Sequence, residues 1–400
     1  MSAVGRRLLG AGLALGLAVL LGGGLGGLAA ALDFNSASLE DWLGPFREQG
    51  RALVEGRAEL VEGFVYPPSA AVLLAPLGAL GPAGAEALGW VLQLLCVGLL
   101  AALGPRLAGA RWSGLLDLAF GLAVGLCVPV LHSVHWGQLG APLAVLVLLW
   151  LLAGRSEGGT DEEAHRVGAA RTRSSWAGDV ALSLAVGFKV YPLLVALPRW
   201  AVHRPSRRAL LLLLAVVVAL PWLVMGADAP AFAGSVAERV RELSSEGGGW
   251  WGSANRQSVA AVIGRAVGSP GPPAFLSVVS LVAFVALAVV TARLARHPRP
   301  RALETSGLLL LTGLVLLPGP CWPHHLATLP LLWAVALGGA VRARPWVLAS
   351  IITASLPLHL ALGGWEVAYT SALPLVATLL AAVGAVAGLS SQADAAAVAA

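Results

Sequence analysis

The chain has 400 residues, of which 58% are hydrophobic and 12% are charged, with a formal net charge of +5. Soluble domains carry about 25% charged residues, so the composition and the mean hydropathy of +0.81 exclude a soluble globular domain and indicate an integral membrane protein. The arginines are spread between apolar segments and form no basic face, which argues against nucleic acid as a partner.

The first apolar segment, residues 8–31, follows Arg6 and Arg7 as a signal peptide would. A signal peptide has an apolar region of about 7–15 residues, whereas a membrane-spanning helix needs about 20. We therefore predict an uncleaved first helix with a cytoplasmic N-terminus. Further apolar segments predict an all-α polytopic bundle of about 10–12 transmembrane or re-entrant helices, at residues 84–103, 113–131, 138–153, 209–226, 272–292, 304–318, 325–341, 346–362 and 373–390.

Two apolar segments, residues 67–82 and 177–198, are too short or too broken to be assigned by length alone. The arginine clusters can all face the cytoplasm only if 67–82 stays on the outer side and 177–198 is re-entrant. This topology puts the acidic loops 33–66 and 227–257 outside. It predicts a single membrane domain over residues 1–390, followed by a disordered Ala-rich tail, 391–400.

The first outer loop is the segment most informative about function. Apolar residues recur at helical spacing among the charges of 38–62, which predicts short amphipathic helices on the membrane, or else a mobile polar loop. Asp33 begins this loop. It either ends the first helix as a polar residue, or serves as a general base that takes the proton from an acceptor hydroxyl.

Lys189 is the only lysine and lies in an apolar stretch, Gly187-Phe188-Lys189-Val190-Tyr191-Pro192. A charge at membrane depth costs roughly 3 kcal/mol, so it is a functional candidate. Its ammonium could bind a phosphate as a point charge. The alternative is that Lys189 reaches the interface or pairs with a carboxylate such as Asp179.

Other outer-face residues carry weaker signals. His132 and His135 have a spacing that metal sites use, but no third ligand is nearby, and the three scattered cysteines form no metal or disulfide framework. Arg256 could bind a phosphate through two hydrogen bonds or be an ordinary loop arginine. Trp322 and the histidines after it could be interface anchors. The sequence has no phosphate loop, dinucleotide fingerprint or nucleophile elbow.

Taken in order, these segments resemble glycosyltransferase family 87, the polyprenyl-phosphate-sugar-dependent transferases of the glycosyltransferase-C superfamily. The resemblance implies a lipid-phosphate sugar donor, typically polyprenyl-phosphate mannose, with Asp33 as the catalytic carboxylate and an α-linked product formed by inversion. Relatives that transfer arabinofuranose keep much of the same pattern, so the sugar stays open. The motifs that carry the resemblance are Asp33-Phe34, Phe64-Val65-Tyr66-Pro67-Pro68, Ala75-Pro76-Leu77, Gly137-Gln138, Gly187-Phe188-Lys189-Val190-Tyr191-Pro192, Asn255-Arg256-Gln257-Ser258 and Trp322-Pro323-His324-His325.

We therefore expect a bacterial inner-membrane glycosyltransferase that acts at the periplasmic or outer face on a lipid or glycan acceptor, surrounded by membrane lipids. Asp33 would act on the acceptor, and no metal or cofactor is expected. A lipid or sugar transporter is the rival class, although the chain shows no paired repeats and few midplane ionisable groups. The expected substrate-binding residues are Lys189, Tyr66, Arg256, Asn255, Gln138, Trp322, His324 and His325.

Overall fold

The structure is a computed structural model. It describes residues 3–22, 39–111, 114–154, 176–244, 256–268, 274–297, 301–317, 321–338, 341–363 and 371–399. Within these ranges every regular element is a helix, and the sole β-type pairing is an isolated bridge between Cys127 and Ser355. The prediction of an all-α chain is therefore confirmed for the described residues.

The N-terminal half contains the two segments whose assignment was ambiguous. Residues 67–82 contain a short helix that begins at Pro68, and the 177–198 segment is broken between Phe188 and Leu193. The break is confirmed, while the re-entrant path stays a prediction. The helices are Ala3–Gly22, Trp42–Phe46 (π), Arg47–Val54, Pro68–Gly78, Pro82–Leu103, Gly104–Arg111 (3-10), Gly114–Gly125, Val128–Trp136, Gly140–Ala153, Trp176–Phe188 and Leu193–Val202.

In the C-terminal half, the second outer loop contains a helix of 17 residues, Asp228–Ser244, that the sequence reasoning did not predict. The other helices here are Arg207–Leu214, Ala215–Ala219 (π), Leu220–Met225, Val259–Ala266, Ala274–Ala295, Ala302–Thr312, Gly313–Leu316 (3-10), Pro323–Leu326 (3-10), Leu329–Leu337, Val341–Ala343 (3-10), Arg344–Ala354, Leu356–Gly363 and Leu373–Ala399.

Three of the described helices are long and apolar enough to cross a membrane by length and composition: Pro82–Gly109, Arg207–Met225 and Phe275–Ala295. Other apolar helices have 10–17 residues. The membrane-protein class is confirmed, while the number of spans and the topology stay predictions.

Two segments predicted as single helices, 113–131 and 346–362, are each divided in two. The breaks meet, because the Leu356 N–H donates to the Leu126 carbonyl at 2.9 Å beside the Cys127–Ser355 bridge. In both segments a proline follows shortly after the break. Proline lacks an N–H and its ring clashes with the carbonyl four residues earlier, so neither helix can continue through its proline.

The Ala-rich tail is helical as far as Ala399, at the end of the Leu373–Ala399 helix, whereas its composition led us to expect disorder. Alanine has the highest helix propensity of any residue, so an Ala-rich segment that continues a helix tends to extend it.

The first outer loop is held down by two kinds of packing. An aromatic cluster joins Phe46 to Phe64 and Tyr66, and Phe64 also meets Phe232 of the second outer loop, with ring centroids 6.3 Å apart. The Arg47–Val54 helix also crosses the Pro68–Gly78 helix. From Leu39 onwards the loop therefore packs on neighbouring helices, and its own two helices confirm the prediction of short helices in this loop.

The crossing of those two helices depends on Gly78. A Cβ added there would lie 2.0 Å from the Arg51 nitrogen, so Gly78→Ala forces the two backbones apart. We expect the substitution to lower the free energy of unfolding by about 1–3 kcal/mol. The measurement is the thermal unfolding midpoint in detergent.

Gly84→Ala is the matched control, because a Cβ at Gly84 meets nothing nearer than 3.8 Å and alanine favours a helix. Equal unfolding midpoints for the two variants would contradict the packing account.

Candidate active site

A cavity of about 610 Å³ lies where the outer loops meet the breaks between helices. Its lining comes from six separate stretches of chain, which is why no single motif defines it. The lining residues are Glu40, Asp41, Phe46, Gly63, Val65, Tyr66, Pro67, His132, Trp136, Gln138, Lys189, Val190, Tyr191, Val240, Trp322, His324 and His325.

Two carboxylates, Glu40 and Asp41, lie on the side of the cavity formed by the first outer loop. The backbone just before them is fixed because the Leu39 N–H donates to the His135 carbonyl at 2.7 Å. Just after them, the Trp42 indole donates to the Ala85 carbonyl at 2.8 Å. Glu40 is exposed and Asp41 is half-buried, so Asp41 is the carboxylate more strongly shaped by its surroundings.

Gln138 connects Asp41 to Tyr66. The Gln138 side-chain N–H donates to a carboxylate oxygen of Asp41, and the Tyr66 hydroxyl donates to the Gln138 side-chain oxygen at 2.8 Å. The preceding Gly137 has a φ of 66°, a left-handed conformation that glycine adopts without steric cost. This turn ends the Val128–Trp136 helix and presents Gln138 to the cavity.

The backbone of Gln138 is also fixed. Its carbonyl accepts hydrogen bonds from the Gln93 amide at 2.7 Å and from the Ser133 hydroxyl at 2.8 Å. Because both donors are buried, this turn is a rigid support rather than a free loop.

Burial raises the pKa of Asp41 to about 6, because a carboxylate removed from water is costly to ionise. The hydrogen bond from Gln138 acts in the opposite direction, as does the charge of Lys189, while Glu40 raises the pKa further. Asp41 is thus a base that loses its proton just below neutral pH, which is the range useful for general base catalysis.

Lys189 lies in the break between the Trp176–Phe188 and Leu193–Val202 helices. The backbone before it is fixed by the Ser69 hydroxyl, which donates to the Gly187 carbonyl at 2.7 Å. The Lys189 nitrogen lies 4.7 Å from the centre of the Tyr66 ring and 3.0 Å from His325 Nε2.

The alternative partner for Lys189, Asp179, is engaged elsewhere. Its carboxylate accepts a hydrogen bond from Arg208 Nε at 2.9 Å and is almost fully buried. Lys189 therefore points its charge-bearing group at the cavity side chains rather than at a structural ion pair.

Histidines form the rest of this side of the cavity. His324 and His325 belong to the short Pro323–Leu326 helix, and the His324 ring lies 5.2 Å from the His132 ring. Their nitrogens approach to 3.4 Å between the two Nδ1 atoms. The cavity consequently brings together carboxylates from the first outer loop with an amine and imidazoles from other segments.

Most of the predicted substrate-binding residues meet in this cavity. Arg256 is buried but is not among the lining residues, and its carbonyl accepts a hydrogen bond from Arg265. Asp33 and Asn255 lie outside the described residues. The predicted residues that line the cavity are Tyr66, Gln138, Lys189, Trp322, His324 and His325.

The model of glycosyltransferase family 87 matches residues 64–320, more than half of the chain. The chain belongs to glycosyltransferase family 87. It is therefore a glycosyltransferase, and the resemblance deduced from its motifs is confirmed. No curated protein matches the sequence.

Two solved structures show some similarity to this family 87 chain. ArnT from Cupriavidus metallidurans in the apo state is 18% identical, with a TM-score of 0.37, over 90% of this chain and 75% of ArnT. ArnT bound to undecaprenyl phosphate is 14% identical, with a TM-score of 0.34, over 97% of this chain and 77% of ArnT. TM-scores this low decide nothing about the site.

Sequence reasoning missed several residues of the family 87 cavity, most importantly Asp41. The available signal was its acidic pair with Glu40 beside an aromatic residue, in the loop already expected to carry a base. Tyr191 lies inside a recognised motif, Trp136 adjoins one, and Val240 belongs to the helix that was not predicted.

Among the described residues, no group of three or more His, Cys, Asp or Glu side chains could hold a metal ion. Cys96, Cys127 and Cys321 are free and buried. The expectation that the enzyme works without a metal stays a prediction.

The Gln138 hydrogen bond yields a first test of the site. Gln138→Leu removes the donor that lowers the pKa of Asp41, so we expect that pKa to rise above about 6. The measurement is an infrared titration of the Asp41 carboxyl, assigned by its loss in Asp41→Asn.

The control is Thr378→Val, which removes a buried hydroxyl bonded to the Pro374 carbonyl in the C-terminal helix. An Asp41 titration that is the same in Gln138→Leu and in the control would show that Gln138 does not act on the carboxylate.

Proposed function

We propose that the protein transfers a sugar, with inversion, from a polyprenyl-phosphate sugar to the hydroxyl of a lipid or glycan acceptor. The leading sugar is mannose, and the site faces the outer side of the bacterial inner membrane. The single observation that carries the proposal is a cavity that Asp41, Lys189 and His325 line together. We assign the carboxylate to the acceptor end, and Lys189 with His325, which lie 3.0 Å apart, to the phosphate end.

The reaction places opposite demands on the two ends of such a cavity. The acceptor hydroxyl gives its proton to a carboxylate as its oxygen bonds to the anomeric carbon of the sugar. The bond from that carbon to the phosphate oxygen breaks, and its electron pair stays on the phosphate. A phosphodiester with one negative charge thus becomes a phosphomonoester with a second one, which nearby donors stabilise.

The side chains fit these roles as follows. Lys189, His324 and His325 supply the groups at the phosphate end, and Tyr66 and Trp322 flank the sugar between the two ends. Arg256 and Asn255 are proposed to contribute from the neighbouring segment, which is tied to the site because the Gln257 N–H donates to the Cys321 carbonyl at 2.5 Å. The polyprenyl chain would lie among the apolar helices, in contact with membrane lipids.

Two carboxylates compete for the role of base. Asp33 is the candidate from the family resemblance, and Asp41 is the candidate from position, because it lines the cavity and its pKa suits proton transfer near neutral pH. Both belong to the first outer loop, eight positions apart in the sequence. Separate variants decide between them.

The alternative functions predict different outcomes in a transfer assay. An arabinofuranosyl or other glycosyl donor would leave the site chemistry unchanged and alter only which labelled donor is consumed. A transporter or flippase would move the lipid without breaking the bond between sugar and phosphate. Family membership favours transfer.

The first functional prediction concerns transfer itself. Membranes containing the protein are given labelled polyprenyl-phosphate mannose and an extracted acceptor pool. We expect the base variant, Asp41→Asn or Asp33→Asn, to lower the rate by about 10²–10⁴-fold, because general base catalysis is worth that much.

Expression and membrane insertion of both variants are checked, and Asp228→Asn serves as the control carboxylate because Asp228 is not among the cavity residues. Full activity in both Asp33→Asn and Asp41→Asn would contradict both assignments of the base.

The second functional prediction concerns pH. If Asp41 is the base, it must be ionised, so the rate at low donor concentration should fall as pH drops through about 6. A rate that is unchanged between about pH 5 and pH 7 would exclude a carboxylate with this pKa as the base.

A further inference from the structure

The hydrogen bonds of His325 show which of its ring nitrogens carries the proton. The Trp322 backbone N–H donates to His325 Nδ1 at 3.2 Å. A backbone N–H can only donate, so Nδ1 is an acceptor and carries no proton. The ring proton of neutral His325 is then on Nε2.

That assignment constrains Lys189, whose nitrogen lies 3.0 Å from His325 Nε2. A lysine ammonium has three donors and no acceptor. If Lys189 were an ammonium, its N–H groups would therefore face the N–H of His325 Nε2, and no hydrogen bond could form between them. The contact is a hydrogen bond only when Lys189 is a neutral amine whose lone pair accepts from His325.

Burial of Lys189 favours the neutral amine. Three neighbours favour the charged form: the Asp41 carboxylate, Cys321, and the face of the Tyr66 ring, whose centre lies 4.7 Å from the Lys189 nitrogen. The titratable side chains around Lys189, from every element packed against it, are Asp41, Tyr66, Tyr191, Cys321, His324 and His325.

We propose that the empty site holds Lys189 as a neutral amine bonded to His325, and that the sugar donor binds together with one proton taken from solvent. The inference rests on the proposed function and specifies how the site binds the phosphate of the donor. The incoming phosphodiester carries one negative charge. The proton converts Lys189 to an ammonium, which separates from His325, and both groups then donate to phosphate oxygens. The bound site has gained no net charge.

Because of this coupling, the site holds an ammonium only when an anion is present to pair with it. A neutral lipid offers no anion to stabilise the ammonium, so it gains nothing from the proton. When the bond between sugar and phosphate breaks, the ammonium and the Nε2 proton of His325 already face the oxygen that gains charge.

The test measures protons directly. Purified protein is titrated calorimetrically with citronellyl-phosphate mannose, without acceptor, at about pH 8 in two buffers of different ionisation enthalpy. The probe is a phosphodiester with no titratable proton in this range, so any proton taken up goes to the protein. We expect uptake of about one proton per donor bound, and affinity that falls about tenfold per pH unit at higher pH.

Lys189→Arg is the matched variant. A guanidinium keeps its charge at all these pH values, so we expect this variant to bind with no proton uptake and with an affinity independent of pH. If it is unfolded, the wild-type proton count still decides whether donor binding takes up a proton, and Lys189→Gln, which has no amine to protonate, tests whether Lys189 takes it.

The experiment distinguishes failure of this inference from failure of the proposed function. Donor binding by the wild type without proton uptake would overturn the inference and leave the proposed function intact. Equal uptake by Lys189→Arg would move the proton to another group and overturn the assignment to Lys189. No binding of the probe by folded wild-type protein would count against the proposed function, and the inference would fall with it.

Discussion

The hydrogen bonds of Gln138 are the interaction on which the rest of the site depends. Its side chain joins Asp41 of the first outer loop to Tyr66 at the end of the same loop, and its carbonyl is held by Gln93 of the Pro82–Leu103 helix and Ser133 of the Val128–Trp136 helix. Leu39 and Trp42 also attach the loop by hydrogen bonds, but only the Gln138 bond among these reaches the Asp41 carboxylate itself. With it, a carboxylate is aimed into the cavity from a fixed position.

The second constraint is the cost of charge in an apolar protein. A chain with 12% charged residues can keep an ionisable group at membrane depth only where other polar groups meet it. Lys189 satisfies this condition at a helix break, where it meets His325 and the Tyr66 ring. The polar groups of the cavity thus lower one another's cost of burial. The same arrangement suits a reaction in which one group takes a proton and another stabilises a developing negative charge.

The sequence predicted the class and much of the site for physical reasons. Long apolar segments predict membrane helices. A lone lysine in such a segment needs polar neighbours, so Lys189 and the Trp322–His325 motif could be placed in one site. Asp41 could not be ranked above Asp33, because both are loop carboxylates and their depth depends on how the loop folds. The breaks near Cys127 and Ser355 were missed because they support each other across the fold, a contact that no local pattern reveals.

The most direct test of the account is an electron cryomicroscopy structure of the protein with citronellyl-phosphate mannose bound and no acceptor present. The account predicts the phosphate within hydrogen-bonding distance of Lys189 Nζ and His325 Nε2, with the sugar extending towards Tyr66 and Asp41. A donor phosphate bound outside this cavity, or bound in it at the Asp41 end, would contradict the assignment of the two ends.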